Sequence, residues 1–252
     1  MIGRVLAATV RHRRGVLMLG VLLALGNVAA VAFAPALGQI LFFPLVVLAL
    51  ALVVLALLSL QTRPAYFVVQ PQIPAFGTPA SAWKVFLAVC FLLPFSAQVG
   101  ALMRSGRQDN AWTPESILHV PWLLLVALLL AEAWRGYGVQ LRPCGVRQSW
   151  ILGSIIVPWE ALPVAQMTLP AHRAAALWLA YAEPQLVRRR GIPWRRHALR
   201  TDNVDPRFLA AAIHHYVCHP DHRAAIGSHA EYQRLLAALP GRRGESQPSG
   251  SL

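Results

Sequence analysis

The sequence predicts two parts in order: an α-helical membrane domain of about four transmembrane helices, then an α+β domain of short strands closed by a C-terminal helix. Three observations predict it. Long apolar runs fill the first half, β-forming residues punctuated by glycine and proline begin at Tyr137, and helical spacing returns only after Asp205. Composition agrees. The 252 residues are 56% hydrophobic and 13% charged, against about 25% charged in an ordinary soluble domain.

The runs at 15–37, 39–60, 82–103 and 116–134 each approach or exceed the roughly 20 residues that cross a ~30 Å hydrocarbon core. Pro35 and Gly38 turn the first run into the second. Pro44, Pro94 and Pro121 fall within or near later runs, where packed neighbours absorb a kink. The first run also has the basic start and small residues of a secretory signal. Its length, Pro35 directly after the small residues, and the second run at once behind it favour a retained anchor. Arginine sets the expected orientation. Arg4, Arg11, Arg13 and Arg14 precede the first run, Arg63 and Lys84 flank the second connection, and Arg135, Arg142 and Arg147 follow the fourth run. The 35–38 turn is uncharged, and Arg104 and Arg107 are offset by Asp109 and Glu115. The expectation is a multi-pass protein of the plasma membrane with both termini cytoplasmic.

The runs carry little ionisable chemistry. Asn27 and Gln98 suit interhelical hydrogen bonding, His119 is the remaining polar group, and Glu132 sits near the end of the fourth run. No carboxylate falls near the middle of a run, where proton and ion pathways place them. The connection 61–81, "QTRPAYFVVQPQIPAFGTPAS", is rich in proline and reads as an extended cytoplasmic segment. Its "FVVQPQI" echoes the later "VQLRPCGV".

From Tyr137, "YGVQLRPCGVRQSWILGSIIVPWEAL" reads as strands separated by turns at Gly145 and Gly153. "AQMTLP", "AALWLAYAEP", "QLVRRRGI" and "RHALRTD" follow as short candidate strands. Asp205-Pro206 is an N-cap with proline at the first helical position. Leu209, Ile213, Tyr216 and Val217 then recur at helical spacing until Pro220. A last helix starts at Ser228, with Glu231 completing a capping box. The domains are thus expected at 1–136 and 137–239, with 240–252 a polar, disordered tail.

"LRPCGVR" followed by "GSIIVPWEAL" resembles the bacterial pleckstrin-homology-like (PH-like) pattern of strand, Pro-x-Gly turn, strand and an apolar-Pro-Trp-acid corner. "NVDPRFLAAAIHHYVCHPDHRAAIG" is similar to the closing helix of such domains in actinobacterial membrane proteins. The resemblance covers residues 137–239 and implies a small β-barrel with a C-terminal helix, serving as a membrane-tethered, non-catalytic module. Independently of it, Trp159 is suited to plugging a barrel end, Pro158 to ending a strand, and Glu160 to capping the next segment.

Two clusters stand out. His214, His215, Cys218, His219 and His222 crowd one stretch. His214 and Cys218 are spaced to share a helix face, but HExxH and paired-cysteine motifs are missing. The expected reading is a structural helix with its histidines on the wet side and no bound metal. Arg223 and Asp221 read as local surface charge. The second cluster is "VRRRGIPWRRHALR", in which Arg188, Arg189, Arg190, Arg195, Arg196 and Arg200 surround Trp194. On the cytoplasmic side it suits anionic headgroups, at about 1 kcal/mol per charge. The net charge of +13 fits lipid and positive flanks better than nucleic acid, for which no binding motif is present.

The expected function is an integral membrane protein presenting a cytoplasmic PH-like interaction or scaffold module. It is non-catalytic and without cofactor, touches anionic lipid, and has a protein partner the sequence does not identify. The alternative is a small transporter or metal-dependent membrane enzyme. The three scattered cysteines, Cys90, Cys144 and Cys218, offer no disulfide framework.

Overall fold

A computed structural model describes residues 2–70, 72–109, 119–136, 138–164, 170–171, 174–191 and 198–239. The chain divides into two compact units. One comprises Met1–Arg63 with Ala80–Tyr137, the other Pro64–Pro79 with Gly138–Leu252. The second unit is therefore discontinuous in sequence, and the boundary differs from the expected 136/137 division. The connection 64–79, expected as an extended segment, is part of the second unit.

The first unit is helical, with α1 (Ile2–Arg11), α2 (Arg13–Phe33), α3 (Pro35–Gln61), α4 (Ala82–Asp109) and α5 (His119–Arg135). Ala34 alone separates α2 from α3, at φ −136° and ψ 75°, and Pro35 starts the next helix. Pro44 and Pro94 lie inside α3 and α4. Three helical stretches, Arg13–Phe33, Pro35–Gln61 and Ala82–Gly106, are long and apolar enough to cross a membrane. The fourth apolar run appears as α5, 17 residues long, and its expected start lies outside the described residues. Large apolar side chains such as Leu22, Phe42, Phe43 and Leu124 face outward, as lipid-facing residues do.

Small and polar groups hold these helices together. Asn27 donates to Ser96 Oγ at 2.8 Å, joining α2 to α4, whereas Gln98 is exposed. Gly100 lets α4 approach α2, since a Cβ there would stand 2.9 Å from the Val28 carbonyl oxygen. The only lysine, Lys84 near the start of α4, meets Glu132 near the end of α5 at 3.5 Å. Phe91 packs on Trp122 with ring centroids 5.4 Å apart. These two pairs make α4 and α5 antiparallel neighbours.

The second unit contains β1 (Val68–Gln70), β2 (Ala75–Gly77), β3 (Val139–Arg142), β4 (Gly145–Trp150), β5 (Gly153–Pro158), β6 (Ala176–Trp178), β7 (Arg188–Gly191) and β8 (Ala198–Arg200). They are followed by α6 (Pro206–Cys218), a 3-10 turn (Pro220–Ala225) and α7 (His229–Ala238). One antiparallel sheet runs β1-β2-β3-β4-β5-β7, and β6-β8 form a second. The expected closed barrel is not present among the described residues. The six-stranded sheet ends at β1 and β7, and the second sheet is joined to it by a side chain. Gln148 Nε2 donates to the Arg200 carbonyl at 3.3 Å, and Gln148 Oε1 accepts from the Arg200 N–H at 3.2 Å. One buried amide thus exchanges the pair of bonds that a neighbouring strand would make.

Register fixes the faces. Val69, Phe76, Leu141, Val146 and Val157 are paired in succession across five strands, and the last four are buried. This row packs with Leu209, Ile213 and Tyr216 of α6 in a single core. Asp205 caps α6 as expected, with Oδ1 accepting from the N–H of Arg207 at 2.7 Å and of Phe208 at 3.3 Å. Trp159 is buried beyond β5. Its indole N–H donates to the carbonyls of Arg142 and Pro143, both at 3.0 Å. It therefore locks the β3–β4 turn.

The 64–79 segment enters this core fully. The Phe67 N–H donates to the Tyr232 hydroxyl at 3.1 Å, and the Asp205 N–H donates to the Pro64 carbonyl at 2.9 Å. At Gly227, φ is +100° and a Cβ would lie 2.7 Å from the Ala75 nitrogen. Only glycine relieves both constraints.

Candidate functional site

The basic face comes first from register. Residues directly opposed in antiparallel strands project to the same side. Gln140, Arg147, Ile156 and Arg188 are paired in succession, as are Ser149, Ser154 and Arg190. With Arg142 of the same parity, four arginines occupy the face opposite the core, and no acid occurs in β3, β4, β5 or β7. Arg142 is braced by Gln140 Oε1, at 3.2 Å from Nε and 2.7 Å from Nη2. Burial, and secondarily the neighbouring Arg147, hold its guanidinium below the ordinary arginine value.

The strand β7 is an edge, and Arg188, Arg189 and Arg190 are all exposed. They do not act alike. Arg188 and Arg190 belong to the basic face. Arg189 is paired with buried Ile155, which puts it on the core side. There it stands by Tyr181, whose phenol burial pushes up and Arg189 pulls partly back. Trp194, Arg195 and Arg196 lie outside the described residues. Arg142 and Arg147, which the sequence assigns only to the flank of a membrane run, replace them as members of a common surface.

The second cluster is built where α6, the 3-10 turn and α7 meet. His215 Nε2 and His222 Nδ1 are 3.2 Å apart, and His222 Nδ1 is 3.8 Å from Glu231 Oε1. The three ligand atoms all lie within 4.8 Å of one another. His219 stacks on both rings, with centroids 4.6 Å from His215 and 5.3 Å from His222. Its Nδ1 lies 2.9 Å from the His215 carbonyl oxygen, so the proton-bearing Nδ1 tautomer donates there. Burial is the main reason the His215 imidazole is pushed down to about 4, with the neighbouring His219, His222 and His214 adding to it. At neutral pH it is an uncharged nitrogen donor.

Glu231 is the residue the sequence misreads. Ser228 Oγ does accept from the Glu231 N–H at 3.2 Å, so half of the capping box forms. The carboxylate instead turns inward and is fully buried. Its Oε1 accepts from the Tyr216 hydroxyl at 3.3 Å, and its Oε2 meets Arg234 Nη1 at 2.7 Å. Burial and this carboxylate both raise the Tyr216 phenol. The spacing of Ser228 and Glu231 cannot distinguish a reciprocal cap from a buried acid. The signal available was an acid close in sequence to five histidines and two tyrosines.

The remaining members are dispersed. His214 and Cys218 do approach, with Nε2 and Sγ 3.6 Å apart, but Cys218 is exposed and among the described residues no third ligand joins them in a metal-spaced group. Arg223 is more than surface charge. Its Nε donates to the Tyr216 carbonyl at 2.7 Å and its Nη2 to the Val217 carbonyl at 3.2 Å. It thereby satisfies the last turn of α6, and its guanidinium lies 5.6 Å from the Trp159 ring centroid. Glu160 reaches Arg223 at 3.6 Å rather than capping a helix. No family model, curated protein or solved structure matches the chain.

Proposed function

We propose that the chain is a multi-span membrane protein whose second unit is a cytoplasmic, PH-like interaction module, held with its basic sheet face toward anionic headgroups. The observation that carries this reading is the set of Arg142, Arg147, Arg188 and Arg190 on one side of a sheet free of acids. Sheet, small second sheet and closing helix support the PH-like relation without a closed barrel. Connectivity supports four spans. Residues 64–79 and 138–239 belong to one unit, so an even number of crossings separates Pro79 from Gly138. If α4 crosses, α5 returns, as its antiparallel packing allows. The positive flanks then favour the cytoplasmic side for this unit. The module is non-catalytic and leaves its other surfaces to a protein partner.

The test uses the full chain in nanodiscs of neutral or anionic lipid, read by hydrogen exchange over 184–191. Protection should require anionic lipid, weaken at high salt, and disappear when Arg188 and Arg190 become Gln. Equal exchange in neutral and anionic discs at low salt would refute the lipid-facing role.

A further inference from the structure

We propose that His215, His222 and Glu231 bind one divalent first-row transition ion, with zinc as the reference. This inference stands apart from the lipid reading and departs from the metal-free expectation for the histidines. The reason for departing is Glu231, which brings a carboxylate oxygen to a pair of imidazole nitrogens already in place.

The geometry suits such an ion. Bonds of about 2.0–2.2 Å to nitrogen and oxygen place tetrahedral ligands roughly 3.4 Å apart. The separations of 3.2 Å between His215 Nε2 and His222 Nδ1 and 3.8 Å between His222 Nδ1 and Glu231 Oε1 bracket that value. The third separation, no more than 4.8 Å, closes by a shift of about an ångström. Two imidazoles with one carboxylate select zinc, iron, nickel or copper over calcium and magnesium, which prefer oxygen alone.

The surrounding groups orient the ligands. Arg234 holds Oε2 of the Glu231 carboxylate and the Tyr216 hydroxyl donates to Oε1, the oxygen that faces His222, in the manner of hydrogen-bonded outer groups at metal sites. His219 stacks against both ligand rings and limits their rotation. A buried carboxylate needs compensating positive charge, and among the described residues the half-exposed Arg234 is the only arginine or lysine paired with it. A dication would complete that compensation. It would also tie α6, the 3-10 turn and α7 together, since each contributes one ligand. Water fills the remaining coordination positions.

The experiment uses the full-length protein in detergent, without a polyhistidine tag, stripped by chelator and titrated with Co(II) and Zn(II). The expected result is one ion per chain, a Co(II) visible spectrum displaced by Zn(II), and a melting point several degrees higher with Zn(II). His222→Ala and Glu231→Gln should each abolish binding, while His214→Ala and Cys218→Ser retain it. His222 is partly exposed, so His222→Ala decides the matter if Glu231→Gln fails to fold. No stoichiometric binding by the parent overturns the proposal. So does binding that survives His222→Ala, and so does loss in Cys218→Ser, which would move the site to the His214–Cys218 pair.

Discussion

Replacing Phe76 by Ala should remove a large part of the second unit's stability, although Phe76 lies in a short connection between two long apolar helices. The side chain is fully buried. It opposes Val69 on one side and Leu141 on the other, and its ring centroid lies 5.5 Å from Tyr232 and 6.4 Å from Phe67. Truncating a buried phenylalanine costs about 3–5 kcal/mol. A domain has only about 5–15 kcal/mol in total. With a urea dependence of about 2 kcal/mol per molar, the midpoint should fall by about 2 M.

Pulse proteolysis of the full-length protein in detergent reads that midpoint for the second unit. Ile73→Ala is the internal comparison. Ile73 sits at the tip of the same hairpin and is 47% exposed, so its truncation should change stability by less than about 0.5 kcal/mol. A Phe76→Ala midpoint equal to that of Ile73→Ala would show that the hairpin is no part of the folded unit. The same reasoning predicts that a 137–239 fragment does not fold, because β3 would lose its partner β2 and Leu141 its cover.

Two further outcomes follow from named constraints. Gly227→Ala combines a left-handed φ of +100° with a Cβ 2.7 Å from the Ala75 nitrogen; it should cost more than about 2 kcal/mol, a midpoint drop of about 1 M or more in the same assay. Reporter fusions at residues 37, 72, 110 and 240 should report only 37 and 110 outside, and a cytoplasmic signal at 110 would sink the four-span arrangement.

Much of the fold was legible because its signals are local. Apolar length revealed α2, α3 and the apolar part of α4, and Asp205-Pro206 located the start of α6. The Pro-x-Gly turn placed β3 and β4, and the apolar-Pro-Trp corner placed Trp159. What was not legible depends on distant pairing. The 64–79 hairpin has only three-residue strands, too short for alternation to separate them from coil. Its partners Leu141 and Tyr232 lie far along the chain. The segments "FVVQPQI" and "VQLRPCGV", whose likeness the sequence shows, both contribute strands to one sheet. Similarly, Gln148 carries no local signal of its role, yet it faces inward and stitches the two sheets. Arg223 reads as surface charge and Glu231 as the acid of a capping box, because only tertiary packing turns them toward a helix end and a buried cluster.

On the proposed lipid-facing reading, the basic face needs little energy to matter, and the reason is the chain's connectivity. The second unit joins the helical unit at three places, after Arg63, after Pro79 and before Gly138. Two of these connections are very short, with residues 78–81 between β2 and α4 and 136–138 between α5 and β3. A module tied this way does not have to find the bilayer, so no lipid affinity is spent on recruitment. What remains open is its orientation, and a bias of about 1 kcal/mol per charge from Arg142, Arg147, Arg188 and Arg190 suffices to set it. Screening beyond a Debye length of about 8 Å at physiological ionic strength then acts on orientation alone. Raising salt should therefore expose β7 to exchange while leaving all of the protein in the membrane fraction. A basic face that served recruitment would show the opposite coupling, with the protein leaving the bilayer as β7 becomes exposed.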